Sequence, residues 1–282
     1  MPSINTISPA ELKEAAQLLP SSPRIFGKLS SLLRNTDTDL SDITDLVNAD
    51  SALTASVLRL SNSAMFSLGT AVDTLDEAIN RIGFRELFKL VGFAASQQLF
   101  AEENATYNIT GSELWENSLA CGIGMEILAR RTGYDEQEAY TIGLLRNMGK
   151  MVLDFCVKGK PQYPNFSRQN ELPLIEWEEN NFGITNPSVA GFILMTWHFS
   201  EETSYTIQYQ YQPGEAPRKL PLIHLLNLAN GVAEKIGKGL HGESTYWANW
   251  EDYLPKTGLS RDEFEESTEE IEQALQKVVS NF

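Results

Sequence analysis

Cysteine is nearly missing from this chain of 282 residues: Cys121 and Cys156 stand alone, with no CxxC pair and no histidine at ligand spacing. A disulfide framework or a zinc cluster therefore has no support. The two thiols read as small apolar residues in a reducing compartment. Histidine is as scarce. His198, His224 and His241 are the full set, and no two share an i, i+4 helix face as an HExxH zinc site demands. No GxSxG elbow or GxxxxGK-S/T loop occurs, so the usual hydrolase-triad and P-loop signatures are absent.

Positive charge is also in short supply. Lys and Arg number 22 against 38 Asp and Glu, a net charge of -16, and Arg130-Arg131 and Arg218-Lys219 are the only adjacent basic pairs. Affinity for nucleic acid comes largely from cations that neutralise phosphates, so direct nucleic-acid binding is not expected. An acidic surface suits a basic protein partner instead. Long apolar runs are missing too: stretches such as Phe192 to Trp197 fall far short of the roughly 20 residues a membrane span needs. The start of the chain carries no secretory signal pattern, and the expectation is a soluble, cytoplasmic protein.

Helix starts are plentiful. Ser8-Pro9-Ala10-Glu11, Thr110-Gly111-Ser112-Glu113 and Ser260-Arg261-Asp262-Glu263 read as capping boxes, and Ser22-Pro23 places Pro at a first helical position. Apolar residues step by three and four through Leu40, Ile43, Leu46 and Val47, and again through Leu53, Val57 and Leu60. Only Tyr205 to Tyr211 alternates as a strand would, behind a Ser200-Glu201-Glu202 helix cap. The fold class is all-α. Breaks in the pattern give a join at 101–110, a loop from Lys158 to Pro164, and a helix end at Gly237 to Gly242. A final amphipathic helix runs from about Arg261 to Val279, with an apolar stripe of Phe264, Ile271, Leu275 and Val278 that needs a docking face.

Five segments carry specific patterns. Asp50 to Phe66 is a helix capped by Asp50 and closed at Asn62-Ser63; Thr74 to Gly83 is a second, with Gly83 fitting a helix C-terminus. Leu114-Trp115-Glu116-Asn117-Ser118, Gly143-Leu144-Leu145-Arg146-Asn147-Met148-Gly149-Lys150 and Leu225 to Asn230 follow at longer range. Together they resemble the "DPxLxxxVLRxxNSAxF", "sLxxAIxxLG", "LWxHS", "GLLHDIGK" and "LAD" elements of HDOD domains, a bacterial family related to the HD phosphohydrolases. That resemblance implies a multi-helix HDOD domain over 10–240. It divides into an N-terminal helical lobe (10–103) packed on a degenerate HD-like lobe (111–240), with a C-terminal helical extension at 246–282.

In the metal-binding relatives a His, an adjacent His-Asp pair and an Asp hold the ion. Here the matching positions are Asn117, Arg146, Asn147 and Asn230. Two auxiliary positions, matched to "GxxHxxVG" and "HHxP", carry Asn186 and Gln210. Arg has no lone pair to give a metal, and a neutral amide is a poor ligand for a transition metal. The resemblance thus implies a pseudoenzyme without cofactor: a bacterial signal-transduction module that regulates by contacting a protein partner, with a small anionic ligand such as a nucleotide as a modulator. The absence of an accompanying receiver, kinase or DNA-binding pattern gives a stand-alone HDOD protein. The alternative is a metal-dependent phosphohydrolase acting on a nucleotide or cyclic dinucleotide.

Two readings of Arg146 stay open. Its guanidinium either pairs with a buried carboxylate, Glu116 and Asp154 being near in sequence, or joins Lys150, Asn186 and Gln210 to bind an anion in the vacated cavity. Trp247 and Trp250 read either as packing or as a partner-binding patch, since aromatics concentrate at interface hot spots.

Overall fold

The computed structural model describes residues 6–35, 37–63, 71–170 and 172–281. Every regular element among them is helical. The single β-bridge joins Asn104 and Ile109 within the 101–110 join.

Five helices open the chain: α1 (Pro9–Leu18), α2 (Ser22–Leu33), α3 (Leu40–Asn48), α4 (Ser51–Ser61) and α5 (Leu75–Leu99). Capping follows the sequence signals. The Ser8–Glu11 and Thr74–Glu77 boxes are both closed, and Asp50 accepts the Leu53 N–H at the start of α4. Pro23 occupies the second helical position of α2 rather than the first. Asn62 closes α4 in right-handed geometry, its N–H donating to the Leu58 and Leu60 carbonyls, while its side chain clamps Val72 through both backbone groups, at 2.8 Å each. Ala64, Met65 and Phe66 of the first motif lie outside the described residues. Gly83, with φ +82° and ψ 165°, breaks α5 into two segments; an L-residue there would be strained. α2 lies on α5, where Phe26 and Phe88 meet at 4.8 Å between ring centroids. α1 packs on two helices further along the chain, Met148–Val157 and Asn186–Thr196.

A second group comprises α6 (Gly111–Thr132), α7 (Glu136–Leu145), α8 (Met148–Val157), α9 (Leu174–Phe182), α10 (Asn186–Thr196), α11 (Glu201–Gln208) and α12 (Pro221–Lys235). The alternating Tyr205 to Tyr211 segment folds mostly as α11, because the Ser200 hydroxyl accepts the Thr203 N–H and starts a helix. The 101–110 join is a packed segment. Asn104, Thr106 and Tyr107 are buried, Asn104 donates to the Lys150 carbonyl, and Thr106 donates to Asp154 through its N–H and its hydroxyl.

Two short helices, α13 (Ser244–Trp247) and α14 (Leu254–Thr257), lead to α15 (Arg261–Asn281). The expected apolar stripe finds its face on α6. Phe264, Ile271 and Leu275 are buried there, and Val278 packs at the edge.

Candidate functional site

The core of the second group is built from α6, α7, α8 and α12, and glycines set how closely they approach. A Cβ on Gly143 would lie 2.4 Å from the Cys121 carbonyl oxygen on α6, and one on Gly149 would lie 1.9 Å from the Asn186 carbonyl oxygen on α10. Both glycines of the 143–150 segment therefore serve backbone-to-backbone contact. They hold the α7–α8 corner, with Arg146 and Asn147 at its apex, deep in the helix layer.

Arg146 points into that interior and is completely buried. Its Nε donates to Gln210 Oε1 at 3.0 Å. One terminal nitrogen donates to Asn117 Oδ1 at 2.5 Å and to Asn147 Oδ1 at 3.0 Å. The other reaches Glu243 Oε2 at 2.5 Å. Lys150, one turn into α8 and equally buried, spends its three protons on Asn147 Oδ1 (3.1 Å), the Tyr211 hydroxyl (3.0 Å) and Glu243 Oε1 (2.5 Å). Tyr211 in turn donates to Glu243 Oε1 at 2.6 Å. The Trp247 ring lies 5.5 Å from the guanidinium, in cation–π range.

Glu243 is the carboxylate that compensates Arg146, and neither expected partner plays that role. Glu116 pairs with Lys238, and Asp154 is engaged by Thr106. Glu243 lies far along the chain in a turn without periodicity, so proximity in sequence could not find it. The available signal was charge balance: a buried Arg and a buried Lys require an acid. Its position is fixed locally. Gly242 has φ +83° and faces the Phe166 ring, with no room for a Cβ. His241 stacks on Phe166 at 4.9 Å and contacts the Tyr107 carbonyl through Nε2.

The charges of the cluster are strongly coupled. Burial raises the Glu243 carboxyl, but Arg146 and Lys150 outweigh it and bring the pKa down to about 2. Burial works against charge on Arg146, yet the Glu243 carboxylate lifts it above its ordinary value. Lys150 ends below its ordinary value, because burial and the neighbouring guanidinium together exceed the attraction of Glu243. Two cations share one carboxylate, and the ammonium bears the excess.

The family's implied metal does not fit this donor set. The Asn117 and Asn147 amide oxygens converge on a guanidinium nitrogen, leaving no open coordination point. Asn230 is turned elsewhere, donating to Leu226 O and accepting from Cys121 Sγ. Among the described residues no group of three His, Cys, Asp or Glu is placed to hold an ion. The positive charge of Arg146 and Lys150 would repel a divalent cation.

An anion bound in this cavity meets the opposite obstacle. Arg146, Lys150 and Gln210 have no solvent exposure, and internal acceptors already take their donors. Asn186 is not with them at all. It joins a second buried group in which its N–H and side-chain amide donate to Glu178 (2.8, 2.9 and 3.1 Å), whose Oε1 also accepts the Tyr107 hydroxyl. Burial pushes Glu178 up to about 7. The aromatic pair also divides. Trp247 is buried against Tyr211 and Arg146, so it offers no partner surface; Trp250 stacks on Phe264 at 4.3 Å and carries Lys235 over its ring.

Comparison with known proteins agrees with this architecture. An uncharacterized protein of Treponema pallidum (strain Nichols) is 24% identical over 262 residues, which are 89% of this chain and 47% of that protein. The chain thus spans about half the length of that relative. An HDOD domain protein of unknown function from Geobacter sulfurreducens superposes with a TM-score of 0.68 at 22% identity, covering 94% of this chain and 97% of that one. A Shewanella amazonensis SB2B protein, provisionally named a phosphohydrolase, gives 0.65 at 24% identity with 94% of each chain covered. The HDOD domain model matches residues 19–213, and with the helical order and motif positions described above, the chain belongs to the HDOD domain family.

Proposed function

We propose that this protein is a non-catalytic regulatory module of bacterial signal transduction that works by contacting a protein partner. The observation that carries this reading is the Arg146–Glu243–Lys150 cluster. It fills the expected metal positions with a guanidinium and satisfies that guanidinium internally. Hydrolysis in the metal-dependent manner needs a cation that polarises phosphate and lowers the pKa of bound water. A cationic, fully hydrogen-bonded plug supplies neither.

The acidic surface supports a basic partner. At a net charge of -16, association with an oppositely charged surface is steered electrostatically and weakens as salt rises. A signal-transduction role is also the provisional name of a Marinobacter aquaeolei VT8 protein, which superposes with a TM-score of 0.66 at 20% identity and which this chain covers to 58%.

Metal analysis of protein purified without chelator, coupled to phosphodiesterase assays on cyclic dinucleotides, tests the reading. The expected result is substoichiometric iron, manganese and zinc with no hydrolysis. A stoichiometric metal together with turnover that an Asn117→Ala exchange abolishes would overturn it.

A further inference from the structure

Most cations of this chain are tied to carboxylates, but one cleft collects two that are not. It has a volume of about 530 Å³ and lies between the start of α12, the segment before it and α14. Arg218, Lys219, His224 and Lys256 all line it. Lys219 and Lys256 form no ion pair with a carboxylate among the described residues, and Lys256 contacts only the Tyr253 ring, at 4.6 Å. Arg218 touches Glu201 at 3.4 Å, but both side chains are solvent-exposed; such a pair contributes little and exchanges readily for a better acceptor.

His224 contributes a hydrogen-bonding group held in place. Its ring stacks on Tyr253 at 5.5 Å, and its Nδ1 is buried without a partner. Burial and the charge of Lys256 hold the imidazole below its ordinary pKa, and no carboxylate opposes them. Three basic side chains gather here, with Glu201 beside Arg218, on a molecule whose net charge is -16. Tyr134 also lines the cleft and is among the few large apolar residues left exposed.

We propose that this cleft binds a small phosphate monoester carrying a flat or apolar group. Lys219, Lys256 and Arg218 meet the phosphate, His224 adds a hydrogen bond, and Tyr134 covers the remainder. Charge-assisted bonds from Lys and Arg suit a dianion. The cleft falls within the roughly 300–1,000 Å³ typical of small-ligand pockets. An anionic ligand therefore has a place on this protein, but on the surface beside α12 and not at Arg146.

Calorimetric titration of the full chain with adenosine, guanosine and uridine monophosphates, and with adenosine and inorganic phosphate as controls, tests the site. At least one monophosphate is expected to bind saturably, one per chain, with each control weaker by about tenfold or more. The Lys219→Glu/Lys256→Glu double variant changes only exposed side chains and is expected to lose about tenfold or more of that affinity. No saturable binding by any monophosphate at millimolar concentration overturns the inference. So does equal binding of a control, or undiminished affinity in the double variant. Such a failure would leave the non-catalytic reading untouched, because neither lysine belongs to the buried cluster.

Discussion

Arg146 cross-links the interior of the second helix group, and its energetics follow from burial. Removing one member of a buried ion pair typically costs about 3–5 kcal/mol, because the remaining charge is stranded. Here the three members are not equivalent. Arg146→Met leaves Glu243 with Lys150 as counter-ion, whereas Glu243→Gln leaves two buried cations and no acid. Glu243→Gln is therefore expected to be the more damaging, measured as the drop in chemical-denaturation stability. Replacing all three together, as Arg146→Met/Lys150→Met/Glu243→Leu, is expected to recover most of that loss, since buried ion clusters often exchange for apolar groups at little net cost. Additive losses in the triple variant would show that the cluster is not one coupled unit.

Element by element, the sequence disclosed its helices well, and for stated reasons. Capping boxes at Ser8, Thr110 and Ser260 are local chemistry, readable over four residues, and each is closed in the structure, which adds a fourth at Thr74. Asn117, Arg146 and Asn147 stood out because they interrupt strong motifs. What they contact did not. Glu243 reaches Arg146 across 97 residues, and no local pattern encodes that pairing. The join at 101–110 looked like linker because it is polar; its polar groups are in fact spent on α8. Gly149 shows the same limit, reading as part of a motif while the physical constraint lies on α10. Gly149→Ala would drive a Cβ into the Asn186 backbone, where neither partner is a flexible side chain. The expected loss is about 3 kcal/mol or more, at the upper end of overpacking costs. Thermal melts of this variant beside Gly159→Ala check it, the latter lying at a surface turn with φ +75° and open space around its Cα. A smaller loss at Gly149 than at Gly159 would mean that α8 and α10 can separate without cost.

For the whole molecule, two buried carboxyls shape stability in opposite directions. Glu243 has a folded pKa of about 2 against an ordinary value of 4.5. Its contribution, about 3 kcal/mol, is fully present above pH 4.5 and lost as pH falls toward 2. Glu178 is raised by burial to about 7 from the same ordinary value. The native state there keeps a proton that the unfolded chain releases, so stability is fully present below pH 4.5 and falls as pH rises to about 7, again by about 3 kcal/mol. Growing net negative charge above the isoelectric point of about 4.6 adds self-repulsion in the same direction. Lys150, lowered by burial, acts in the other sense: stability rises as pH passes from its folded value toward 10.5. Urea unfolding of dilute protein is thus expected to be hardest near pH 4.5–5 and progressively easier toward neutrality. In Glu178→Gln the decline between pH 4.5 and 7 should flatten while the acid limb, which belongs to Glu243, remains. If the decline persists unchanged in that variant, the Tyr107 and Asn186 donors are enough to keep Glu178 ionised in the folded state, and charge repulsion across the acidic surface accounts for the slope.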